Sequence, residues 1–217
     1  GDFTLMGTYS FTEARTAIRD VTLSLGHSTL TDYSALLTWD RKPHIEIHSG
    51  KAELALHEIH TWLSSSDSLT PFMKELSSLQ GTLVITSMQG QGLISEPEKW
   101  RMRMTGEARK IELTSPRLPA PVGINYTFAV EDNLVDITEL SARMGSSSLS
   151  HVSALLTGRN DPVLELRSGN AAINITEVFG WRTWHPALEH LLQGVDTLAG
   201  KFTLTALKIS GHLYRPE

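Results

Sequence analysis

The chain repeats itself. Residues 26–62 align without a gap to residues 145–181 at a constant offset of 119, and fifteen of these 37 positions are identical. The shared core reads SALLT at 34–38 and 153–157, and runs on through Pro43/Pro162, Ser49-Gly50/Ser168-Gly169, Glu58/Glu177 and Trp62/Trp181. A period of this kind decides architecture before any local feature does. Extended outward, apolar parity persists where identity is lost: Phe3, Leu5, Tyr9 and Phe11 fall on Val122, Ile124, Phe128 and Val130. Residues 1–98 therefore read as a first, partial repeat unit and 120–217 as a second. The segment 99–119 reads as linking strands with no copy in the chain, as if the sequence were cut from a longer array.

Most of the sequence is written in period-two pieces. Examples are Val21, Leu23 and Leu25, then Ala52, Leu54 and Leu56, then Val122 through Val130. Alternation of this type predicts antiparallel strands with one dry face and one wet face. The expected fold is mainly β with short helical inserts: a tandem repeat of antiparallel units forming an elongated, curved, groove-like sheet. Ser49-Gly50 reads as a turn. Two inserts break the strand pattern at matching positions. The first spans His57 to Leu79, with a short helix through Trp62, an SSSDS turn, and a second helix over 71–79 capped by Thr70 with Pro71 at its start. The second spans Glu177 to Leu198. Both end in glycine at one register, Gly81 and Gly200, ahead of strands at 82–86 and 201–205.

Net charge is -5, with no basic stripe to hold a phosphate backbone, so nucleic acid is not an expected partner. The chain has no cysteine, which excludes disulfides, a thiolate nucleophile and a cysteine zinc site. The histidine pairs His44/His48 and His57/His60 invite a metal. They correspond to Val163, Arg167, Thr176 and Phe179, so the repeat does not keep them, and His185 and His190 merely flank a helical segment. No metal or cofactor is expected. Glu46/Glu165 and Glu58/Glu177 recur in both units, Glu46 on the wet face of a strand and Glu58 as an acid near a helix N-terminus. No nucleophile elbow, phosphate loop or zinc-protease motif occurs, so no enzyme and no catalytic residue are expected. Trp62 and Trp181 read as anchors of insert to sheet or as the lip of an apolar groove. The same alternatives hold for Trp184, Phe72 and Met73.

The pieces Leu25-Gly-His-Ser-Thr-Leu30 and Met144-Gly-Ser-Ser-Ser-Leu149 share a G-x-S-x-L cadence between strands. With the stretches 45–62 and 164–181, this cadence resembles the AsmA-like superfamily of bacterial envelope proteins. The resemblance covers most of the chain. It implies a periplasmic β-rich body, a parent protein anchored in the inner membrane, and a hydrophobic groove of the bridge-like lipid-transfer type that shields phospholipid acyl chains. It implies neighbouring repeats of the same parent chain as further partners, and it brings no catalytic residues. The groove candidates are Leu54, Leu56, Leu83, Ile85, Ile173, Ile175, Phe202 and Leu204. The alternative is a structural or protein-interaction repeat with closed, side-chain-filled cores and no lipid.

Overall fold

A computed structural model describes residues 3–64, 76–96, 99–116, 118, 120–158, 161–180, 194 and 197–212. The first unit contains β1 (Phe3–Phe11), β2 (Arg15–Leu25), β3 (Ser28–Thr38), β4 (His44–Ala55), α1 (Leu56–Ser64) and β5 (Ser78–Leu93). A single strand, β6 (Arg101–Thr114), occupies the segment that lacks a copy. The second unit contains β7 (Val122–Glu131), β8 (Leu134–Met144), β9 (Ser147–Thr157), β10 (Val163–Asn174), α2 (Ile175–Gly180), β11 (Lys201–Leu204) and β12 (Ile209–His212).

Every neighbouring pair in the order β1 to β11 is antiparallel and hydrogen-bonded, which makes one open meander that does not close on itself. Strands β11 and β12 both pair with β10 and together stand where β5 stands in the first unit. Their register is the same to the residue: Ala52 faces Ile85 and Ala171 faces Leu204, while His44 faces Leu93 and Val163 faces His212.

The period-two pattern is interrupted in a regular way. On β2 and β3 the apolar positions jump by three, from Ile18 to Val21 and from Leu30 to Tyr33, and the pairing shifts there. The extra residues are Asp20 (φ 52°) and Asp32 (φ 52°), and in the second unit Glu139 (φ 53°) and His151 (φ 51°). Each is a bulge residue in the left-handed region, which lets one face stay apolar through an odd spacing and bends the strand. Serines of the repeat satisfy the displaced backbone groups. The Asp20 N–H donates to Ser34 Oγ at 3.2 Å, and Ser49 Oγ donates to the Asp32 carbonyl at 2.8 Å. In the second unit Ser168 Oγ donates to the His151 carbonyl at 3.3 Å.

Two expected features are corrected. Ser49-Gly50 is not a turn, because β4 runs through it. The helix expected over 71–79 does not reach its end, because Ser78 and Leu79 open β5 and Gly81 lies within that strand. Leu76 and Ser77 are not helical either, while residues 71–75 and, in the second insert, 181–193, 195 and 196 lie outside the described residues.

Left-handed backbone costs an ordinary residue about 1–2 kcal/mol and a β-branched one more. His151 is exposed at such a position. Urea denaturation of His151→Gly and His151→Val is expected to rank stability as glycine at or above histidine, and histidine above valine by about 1–2 kcal/mol. Equal midpoints for all three would remove the bulge from this site.

Candidate functional site

Residues that face each other across an antiparallel pair project to the same side of the sheet. One row of such pairs can be followed from edge to edge: Leu5, Leu23, Leu30, Ala52, Ile85, Gly106, Phe128, Ile137, Ala154, Leu166 and Ile209. Each is apolar or glycine. At Gly106 a Cβ would come within 2.7 Å of the Phe128 ring, so the missing side chain makes room for the aromatic. The opposite face reads Thr4, Ser24, Thr29, Glu53, Val84, Glu107, Thr127 and Thr138 along the parallel row. The sheet is thus amphipathic from β1 to β8.

Among the described residues the apolar face is only partly covered. Among the described residues the small ones are buried, Ala35, Ala108 and Ala171 each at 2 % exposure, whereas the edge residues Leu5 and Ile209 are 60 % and 56 % exposed. Accessible surface is 14500 Å². A compact monomer of this mass would expose about 9,900 Å². Leu56, the first residue of α1, folds onto the face against Ala108 and Ile111, with Leu79, Leu83, Ile124 and Tyr126 around them. Side chains fill the face at this point.

Of the groove candidates, Leu54 pairs with Leu83, Ile173 pairs with Phe202, and Ile85 and Leu204 face buried alanines, so these six lie on the apolar face. Leu56 and Ile175 do not sit on strands as expected; each is the first residue of a helix. The backbone of Trp62 belongs to α1, but its side chain, together with Trp181, Trp184, Phe72, Met73, His185 and His190, lies outside the described residues.

The most specific polar arrangement joins the hairpin turn between β2 and β3 to the start of α1. Glu58 Oε1 accepts the His27 N–H at 2.7 Å, and Glu58 Oε2 accepts the Ser28 hydroxyl at 2.6 Å. Ser28 Oγ in turn accepts the N–H of Ala55 at 3.1 Å, just before the helix. The second unit repeats this latch. Glu177 Oε1 accepts the Ser146 N–H at 2.7 Å, Oε2 accepts the Ser147 hydroxyl at 2.5 Å, and Ser147 Oγ accepts the Asn174 N–H at 3.0 Å. Gly26 and Gly145 turn the hairpins at φ 59° and 58°. A Cβ on either would stand 2.2 or 2.5 Å from the glutamate oxygen. Glycine, serine and glutamate are therefore kept in both copies for one mechanical reason.

The Ser28 hydroxyl and then the His27 amide hold the Glu58 carboxyl down to about 2, and Ser147 and Ser146 do the same for Glu177, also to about 2. On the polar face a shallow depression of about 470 Å³ is lined by Glu46, Gln89, Gln91, Arg101 and Arg103, where Arg103 pairs with Glu131.

Among the described residues these features define a class: one open, amphipathic antiparallel sheet built from a tandem repeat. Neither protein-family descriptions, nor curated proteins, nor solved structures give a significant match to the chain.

Both latches have a stated pH sign. The folded carboxyls titrate near 2, below the ordinary value of 4.5, so their contribution is present above about 4.5 and is lost as pH falls toward 2. Glu58→Gln and Glu177→Gln are expected to lower the urea midpoint at pH 7 and to approach the native chain at pH 2.5. A deficit that stays constant from pH 7 to pH 2.5 would show that the carboxylate charge is not what the latch uses.

Proposed function

We propose that the chain is a non-enzymatic segment of a bacterial envelope protein whose apolar β face carries phospholipid acyl chains, in a periplasmic body of a parent anchored in the inner membrane. The observation that supports this most is the row of apolar residues and glycine from β1 to β12, exposed at its edges and shared by both units. Acyl burial yields about 0.8 kcal/mol per CH₂ and needs no directional contacts, so a continuous track suffices where a pocket would not. The carboxylates that both units keep, Glu58 and Glu177, hold turns to helices, which supports an architectural use for them over acid–base chemistry. Neighbouring repeats of the parent would extend the track at the edges of the sheet.

The competing reading, a structural or protein-interaction repeat with filled cores, draws on the cluster of Leu56 with Ala108 and Ile111, where side chains already occupy the face. Lipid content separates the two. Native mass spectrometry and solvent extraction of the purified chain are expected to recover phospholipid. Leu37 and Leu156 occupy the same position of the two units, on the apolar face opposite Ile45 and Leu164. Leu37→Glu with Leu156→Glu is expected to cut recovered lipid severalfold while the far-ultraviolet circular dichroism stays β-like. Reproducible absence of lipid from the native chain would overturn the lipid reading and leave the interaction repeat.

A further inference from the structure

The two latches share one geometry but not the same flanks. Where the second unit has Ser146 and Thr176, the first has His27 and His57. His27 Nδ1 lies 3.1 Å from Glu58 Oε1, and His57 Nε2 lies 3.9 Å from the same oxygen. All three ligand atoms fall within 4.8 Å of one another. Around a tetrahedral zinc ion, with bonds of about 2.0–2.2 Å, ligand atoms stand about 3.3 Å apart. Small side-chain rotations close the difference, and both imidazoles are free to make them: the His27 side chain is 81 % exposed and that of His57 is 55 % exposed.

We propose that His27, His57 and Glu58 form a binding site for a divalent transition-metal ion, present in the first unit and absent from the second. Two imidazoles and a carboxylate suit zinc, copper or nickel and disfavour magnesium and calcium. The latch supplies what such a site needs behind its ligands. The Ser28 hydroxyl on Oε2 and the His27 amide on Oε1 fix the carboxylate, an outer-shell arrangement that orients a ligand before the ion arrives. The ion would replace the contact between His27 Nδ1 and Glu58, and water would complete its coordination, which makes the site open and exchangeable. In the second unit Ser146 Oγ donates to Glu177 Oε1 at 2.8 Å and accepts from Asn174 Nδ2 at 2.8 Å, so a hydroxyl takes the place that the His27 imidazole takes in the first.

The repeat makes the test internal. Isothermal titration of the full chain without a histidine tag, using Zn²⁺ alone, is expected to give one ion per chain that excess Mg²⁺ does not displace. His27→Ala and His57→Ala are each expected to weaken binding more than about tenfold, while His44→Ala leaves it unchanged. Ser146→His combined with Thr176→His is expected to raise the stoichiometry from one to two, because Glu177 is already in place. Circular dichroism checks that each variant keeps its fold. Zinc binding that survives both alanine variants, no binding by the folded native chain, or an unchanged stoichiometry in the double histidine variant would overturn the proposal.

Discussion

Inter-strand register is the constraint on which the rest of this molecule depends. In an open sheet the side of each residue is set only by pairing, and a slip of one residue would turn a strand's apolar set to the opposite face. Along the row from Leu5 to Ile209, the shift on β2 is answered on β3, and the shift on β8 on β9. Asp20 and Asp32 take the left-handed backbone in the first unit, Glu139 and His151 in the second. The side chains at these positions differ between units; the backbone conformation recurs, and so does the hydroxyl contact of Ser49 and Ser168 to the bulge carbonyl. The conserved object is therefore the spacing, and the latches at Glu58 and Glu177 fix its phase where strand passes into helix.

Much of this was readable in the sequence, for a physical reason. Identity at Gly26, Ser28 and Glu58 reflects a left-handed turn glycine against which the Glu58 carboxylate closes. The alternating face was readable because the apolar row obeys period two between bulges. What misled the reading was the bulge itself. An extra residue in the left-handed region changes the spacing from two to three, and a Ser-Gly pair beside it looks like a turn. Ser49-Gly50 lies at such a shift within β4, and Gly81 lies at another within β5. Leu56 and Ile175 continue the strand alternation by one residue and then start helices, so pattern alone assigned them to strands.

Comparing the copies separates two kinds of information. What both share is architecture: the turn glycines, the latch and the serines under the bulges. What only one carries is where specialisation would sit, and a filter that keeps shared residues discards it. His27 and His57 are far apart in sequence and are absent from the second unit, so neither spacing nor repetition joins the one to the other. They come together only because the latch brings the β2–β3 turn to the first turn of α1.

The central claim is that one face of the sheet offers an apolar surface to acyl chains while the other stays in water. A chain without cysteine lets single labels report this directly. Nitroxide labels at Leu37→Cys and Leu36→Cys, and at Leu156→Cys and Leu155→Cys, place adjacent residues on opposite faces in each unit. With phospholipid present, oxygen accessibility measured by electron paramagnetic resonance should rise at 37 and 156 and stay low at 36 and 155. Polar nickel-chelate accessibility should show the opposite order. Equal accessibility at neighbouring positions, or no response to lipid at 37 and 156, would contradict the account.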